Sequence, residues 1–197
     1  MKILQSRVVI GLLVSVVCCA ETYAQDLSYD YNKIQLAILE QAKTVVTMAG
    51  SESIIRAVEE HNSLGLAMAE ILSRDKQWIS NDGSEAFKIE LQENRAGVLL
   101  KSMVLRNRAK YSEAFLTGNQ GANIGAYPST SDYWQGDEEK FTIAFNKGSG
   151  QLLITPVEFD KSSGTHAAQV AAPVIDNQGV TIGVLFVGIK LSYAKVK

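Results

Sequence analysis

Cysteine is confined to a single dipeptide, Cys18-Cys19, inside the first apolar stretch of a chain of 197 residues. Beyond that stretch there is none. Disulfides, thiol catalysis, cysteine-based zinc sites and iron–sulfur clusters are thereby excluded from the rest of the chain. Histidine is almost as scarce, with only His61 and His166. There is no His-Glu-x-x-His, no Gly-x-Ser-x-Gly and no Walker A run. Gly148-Ser149-Gly150 has glycines but not the Lys-Ser/Thr that a phosphate cradle needs, and it reads as a turn. No catalytic residue, metal ligand or cofactor is assigned on this basis, and the chain does not read as an enzyme. Charge of one sign is lacking too: Lys+Arg number 19 against 21 Asp+Glu, with no basic stripe, so no nucleic-acid partner is expected.

What is present begins with a targeting signal. Lys2 and Arg7 form a positive start, Val8 to Ala20 is uncharged and mostly apolar, and Thr22-Tyr23-Ala24 offers small residues for cleavage. This is the pattern of a secretory signal peptide over 1–24, with an apolar run too short to span a bilayer comfortably. Lipidation at Cys19 is the less favoured route, because a lipobox would want Gly, Ala or Ser where Cys18 stands. Cleavage after Ala24 leaves one domain, 25–197, of 173 residues. That is large enough to be held by its core without disulfides, as suits a bacterial periplasm.

The chain then divides by period. Up to about Tyr111 the apolar spacing is helical: Ile34, Ala37, Ile38, Gln41, Val45 and Met48 in a long first helix, then Ile54, Ile55 and Val58, then Leu64, Met68, Ile71 and Leu72. Phe87, Leu91, Val98, Leu99 and Met103 carry a last helix, ending near Arg106. Ser51 is a candidate N-cap. From Ala114 on, the pattern is mainly β. Ala114–Leu116 and Asn123–Tyr127 are short strands. Leu152–Phe159 is an edge or bulged one because of Pro156, and 167–175 and 180–191 form a hairpin around Asp176-Asn177-Gln178-Gly179. Tyr133 to Phe145 has Trp134, Phe141 and Phe145 at roughly helical intervals. Val184 to Ile189 is apolar on both faces and reads as a central strand covered on both sides.

Three stretches carry a family resemblance: Glu70-Ile71-Leu72-Ser73-Arg74-Asp75-Lys76-Gln77-Trp78, Asp132-Tyr133-Trp134-Gln135-Gly136-Asp137-Glu138, and Ala172-Pro173-Val174-Ile175-Asp176 with Ile182-Gly183-Val184-Leu185. Together with the leading helices they resemble the single Cache domain, a PAS-like (PDC-like) extracytoplasmic sensor module of bacteria. The resemblance implies an α+β fold, with long N-terminal helices on an antiparallel sheet of about five strands, and a ligand pocket between the sheet and its connecting helix and loops. Family members usually continue into a transmembrane helix and an output domain. This sequence stops at Lys197, and it lacks the arginine signature of members that bind α-amino acids.

The candidate ligand-binding residues are Tyr127, Asp132, Tyr133, Trp134, Phe141, Asp160 and His166. Tyr133, Trp134 and Tyr127 combine apolar area with one directed hydrogen bond, although Trp134 could equally pack a helix onto the sheet. Asp132 is a ligand contact or the N-cap of a helix starting at Tyr133. Asp160 and His166 make a possible general-base pair. Beyond Arg108 the positive charges are all lysines. A small organic acid would therefore be held by Lys140 or backbone N–H groups, and an amine or a neutral polar metabolite fits as well. The function read from these residues is a periplasmic small-molecule sensor that signals through a separate membrane receptor, kinase or cyclase, or as a homodimer, with 29–48 as the docking helix. The alternatives are an interaction protein with a vestigial pocket and a small hydrolase using Asp160 and His166.

Overall fold

The computed structural model describes residues 32–80, 85–160 and 164–196, so the proposed signal segment lies outside the described residues. Five helices lead the chain: α1 (32–49), α2 (Glu52–Ser63), α3 (Met68–Ser80), α4 (Glu85–Glu93) and α5 (Arg95–Arg106). Strands β1 (Tyr111–Thr117) and β2 (Asn123–Tyr127) follow, then the short α6 (Glu139–Phe145). The chain ends with β3 (Leu153–Ile154), β4 (Glu158–Asp160), the long hairpin β5 (Thr165–Ile175) and β6 (Thr181–Lys190), and α7 (Leu191–Val196). The six strands form one antiparallel sheet in the order β2-β1-β6-β5-β3, with β4 also on β5. This is the α+β architecture that the resemblance implied.

Strand alternation separates two cores. Ala114 and Leu116, Leu185, Val187 and Ile189, and Ala168, Val170, Ala172 and Val174 face α1, α2 and α5. Phe115, Ala126, Ala171, Val184 and Phe186 face the other way and meet Phe141 and Ala144 of α6. Both sides of β6 are therefore covered, as its two-sided apolar pattern required. Pro156 separates β3 from β4, which pair with the same edge of β5. A proline cannot donate to the ladder, and the strand breaks there.

On α1 the sheet-facing stripe is Ala37, Ile38, Ala42, Val45 and Ala49, small enough for close approach. Gln41 is buried in the same stripe. Its amide donates to the Tyr193 hydroxyl of α7 (3.1 Å) and accepts from the Tyr111 hydroxyl of β1 (3.1 Å), which ties α1 and α7 to the sheet. Tyr111 reaches this side because a bulge interrupts β1 between Tyr111 and Ala114, leaving Glu113 on the opposite face with Phe115.

Several local expectations need correction. The single helix expected through Phe87–Met103 is two, because Asn94 caps α5: its Oδ1 accepts from Gly97 N–H (2.8 Å) while its amide donates to the Ile124 carbonyl (2.8 Å). The buried face of α5 is then Ala96, Leu100 and Val104, with Val98 and Leu99 exposed. Gly97 and Gly125 let α5 touch β2; a Cβ on Gly125 would stand 2.7 Å from the Gly97 nitrogen. Leu64, Met68 and Leu72 are exposed, and of that stripe only Ile71 is buried. Ser51 sits at the N-cap of α2 in extended conformation, but its hydroxyl donates backwards to the Met48 carbonyl (2.7 Å). The helix expected from Tyr133 begins only at Glu139, because Trp134 is held extended in a bridge to Ala122.

Candidate ligand-binding cleft

On the α6 face of the sheet lies a cleft of about 550 Å³, within the size range of small-molecule sites. Its floor is Glu113 and Phe115 of β1 with Ala167 and Gln169 of β5. One wall is the loop between β2 and α6, through Thr130, Ser131 and Gln135. The rest is Glu138, Lys140, Thr155, Glu158 and Phe159.

Glu113 is the unusual member. It is only 3% exposed, in a strand buried from end to end, where burying a carboxylate is costly unless it is hydrogen-bonded. Its Oε1 accepts from the Gln169 amide at 2.5 Å. Gln169 in turn is fixed by its own backbone N–H on the Thr155 hydroxyl (2.9 Å). Beside them Phe115 and Phe186 stack with centroids 4.4 Å apart, and the Lys140 ammonium stands 5.4 Å and 6.0 Å from the two rings. The cleft thus presents a fixed carboxylate, an amide, an aromatic surface and one ammonium group.

The loop wall is built by internal hydrogen bonds. Asp75 of α3 accepts both the Tyr133 and the Trp134 backbone N–H at 2.9 Å through one oxygen. Trp78 Nε1 donates to the Thr130 carbonyl (2.9 Å), and the Asn123 amide donates to Thr130 Oγ1 (2.8 Å) and to the Asp132 carbonyl (3.2 Å). Gln135, buried, donates to the Asp132 carbonyl (3.3 Å) and to its carboxylate. Gly121, with φ +81°, allows the β1–β2 turn to pass Gly136, where a Cβ would be 2.4 Å from the Gly136 Cα.

None of the six candidate residues whose side chains are described is among the residues that line this cleft. Asp132 lies between the lining residues Ser131 and Gln135, and its oxygens organise the loop. Tyr133 is turned to the opposite side of the loop, packed on Trp78 and Phe87 at centroid distances of 6.1 and 5.0 Å. Burial raises its hydroxyl pKa, opposed by the neighbouring Arg74. Trp134 packs in that same cluster and donates from Nε1 to the Gln120 carbonyl (2.8 Å). Phe141 is a core residue stacked on Phe145 at 5.3 Å. Tyr127 faces the helices, with Lys101 5.6 Å from its ring centroid. His166 is exposed on β5, edge-on to Phe159 at 5.2 Å. The Asp160 side chain lies outside the described residues.

Glu113, Gln169 and Phe115 escaped the sequence reading. A signal for them existed: one acid within Tyr111-Ser112-Glu113-Ala114-Phe115-Leu116 and one amide within Ala167–Val174, each a polar residue in a buried strand.

Among solved structures the chain is similar to the sensor domain of the V. cholerae histidine kinase DctB, at 13% identity and TM-score 0.49 over 88% of this chain and 58% of that one. It is similar to the E. coli DcuS sensor domain at 18% identity and TM-score 0.45, over 80% of this chain and 91% of that one. A third is the ligand-binding domain of the Pseudomonas fluorescens chemoreceptor CtaA in complex with L-serine, at 12% identity and TM-score 0.46 over 87% and 59%. No family model matches the chain, and no curated protein matches it. Among the described residues no helix is long and apolar enough to cross a membrane.

Proposed function

We propose that this chain is an exported, non-enzymatic small-molecule sensor whose ligand sits in the sheet-side cleft and carries an amino group. The observation that carries the proposal is the buried Glu113 carboxylate, held by Gln169 on the cleft floor beside an aromatic surface. Placed on the floor of an open cleft, this acidic side chain offers a ligand's amino group a hydrogen-bond acceptor. Glu138 and Glu158 add to the acidic side, against Lys140 among the described lining residues, which favours a cationic or zwitterionic metabolite over a simple acid. The periplasmic location rests on the basic and apolar start ending at Ala24.

Signalling through a partner is the second element of the proposal. Helix α1 exposes Leu36 (63%), Leu39 (45%) and Val46 (44%) on the side away from the sheet, with Lys43 in the same row. A spacing of three and four residues suits packing against another helix, from a second copy or from a membrane receptor, kinase or cyclase. A hydrolase at Asp160 and His166 has no such support, since His166 lies exposed on the sheet beside Phe159.

The test is a thermal-shift screen of amines, amino acids, small organic acids and neutral polar metabolites, because a ligand that binds only the native state raises Tm. An amine-bearing compound should raise Tm in the wild type, and Glu113→Gln should abolish that rise while remaining folded. A screen without any shift refutes the proposal, as does a shift that persists unchanged in Glu113→Gln. A shift confined to acids or neutral compounds refutes the ligand class.

A further inference from the structure

A second cavity, of about 340 Å³, lies on the other side of the β2–α6 loop, among α2, α4, α5 and β2. It shares no residue with the cleft. Its apolar wall includes Leu66, Phe87 and Ile124, and its polar groups include His61, Arg74, Asn123 and Tyr133. Two observations single it out. Asn123 is fully buried, and its Oδ1 has no hydrogen-bond partner among the described residues, while its amide is committed to Thr130 and Asp132. A buried acceptor without a donor costs about 1–3 kcal/mol. Arg74 lies half-buried, 5.7 Å from the Phe87 centroid and beside the Tyr133 hydroxyl, with one guanidinium nitrogen on Glu70 at 2.5 Å. Its planar fork has further donors, in the geometry that matches a carboxylate.

We infer that this cavity is a second ligand site, which takes a small monocarboxylic acid with an apolar body and one hydrogen-bond donor. The carboxylate pairs with Arg74, the donor reaches Asn123 Oδ1, and the apolar body lies against Leu66 and Phe87. Glu60 and Glu90 at the mouth disfavour acids of higher charge, with Arg95 offsetting them in part. His61 reports on occupancy. Burial and the Arg74 charge both hold its pKa below the ordinary histidine value. The charged and titratable groups lining the cavity with it are Glu60, Arg74, Glu90, Arg95 and Tyr133. A carboxylate bound at Arg74 offsets the Coulombic part of that push and raises the His61 pKa. The loop joining the two sites is common to both, with Tyr133 in this cavity and Thr130, Ser131 and Gln135 in the cleft.

The experiment titrates the protein with 3-phenyllactate and with its amide. It follows the imidazole NMR signals, which can come only from His61 and His166. The acid should bind saturably, move the His61 signals and raise the His61 pKa, leaving His166 in place. The amide should bind about tenfold more weakly or worse, as should the acid to Arg74→Gln, because each change removes a charge-assisted pair. Leu66→Trp, which fills the cavity without replacing a polar side chain, should abolish binding, and it serves alone if Arg74→Gln does not fold. Absence of a saturable His61 shift overturns the inference. So does wild-type affinity in Leu66→Trp. Binding that is lost in Lys140→Ala but kept in Leu66→Trp would put the acid in the sheet-side cleft and also overturn it. The cleft proposal is tested separately through Glu113, so either can fail without the other.

Discussion

Replacing Asp75 by Ala removes the one side chain that holds two consecutive amides of the cleft loop. The Asp75 oxygen accepts from Tyr133 N–H and Trp134 N–H, both at 2.9 Å. A hydrogen bond to a charged group contributes about 1.5–3 kcal/mol when buried. Asp75 is half-buried and the two bonds share one oxygen, so a combined loss of about 2–4 kcal/mol is expected. Helix propensity opposes this, since Ala is the better former by up to about 0.7 kcal/mol within α3. The observed loss is therefore a lower bound on what the clasp contributes. For a chain of this size the loss lowers Tm by about 5–15 °C. Urea unfolding gives the free energy, and native-state hydrogen exchange supplies the specific readout. The Tyr133 and Trp134 amides should lose protection far more than amides of the β5–β6 hairpin. Asp75→Asn keeps an oxygen acceptor and should lose about half as much. A loss below about 0.5 kcal/mol in Asp75→Ala, at the level of an ordinary surface substitution, would refute the reasoning. So would unchanged exchange at the two amides.

Two further substitutions and one pH dependence follow. Phe186→Ala removes one ring of the fully buried stack with Phe115 and should destabilise by about 3–5 kcal/mol in urea unfolding. Gly125→Ala sets a methyl against the α5 backbone at 2.7 Å, where no side chain can yield, and should cost about 1–3 kcal/mol. His61 has a pKa lowered by burial first and by Arg74 second. As pH falls through its unfolded value of about 6.5 the unfolded chain takes up the proton before the folded one does, so stability falls with pH in that window. His61→Gln should flatten that dependence, and an equally steep wild-type and variant profile would contradict the assignment.

Periodicity carried the fold. The first helix, the N-cap position of Ser51, the edge nature of the Pro156 segment and the central, doubly covered β6 were all legible, because each depends on a repeat of two or 3.6 residues or on the local chemistry of Pro and Ser. The division of α4 from α5 was written in Asn94, but an Asn inside an apolar helical pattern is an N-cap only if its side chain turns back, and here the Ile124 carbonyl holds it. The bulge in β1 left no trace in the local pattern, since one extra residue is specified by the partner strand.

The candidate site divides along the same line. Residue order alone marked the Asp132–Glu138 stretch only through its resemblance to a family segment, with a helix expected from Tyr133. It also determined that cysteine chemistry has no part beyond residue 24. Which residues of that stretch meet the cleft is set by the folded loop. In an irregular loop neighbouring side chains point to opposite sides without a fixed period. Gln135 lines the cleft, whereas Tyr133 and Trp134, on either side of their shared bond to Asp75, turn to the aromatic cluster of Trp78 and Phe87. The cleft floor was likewise beyond reach of the chain order. Glu113 and Gln169 are separated by 56 residues and meet only because β6 lies between their two strands, an adjacency set by long-range pairing and not by any local propensity.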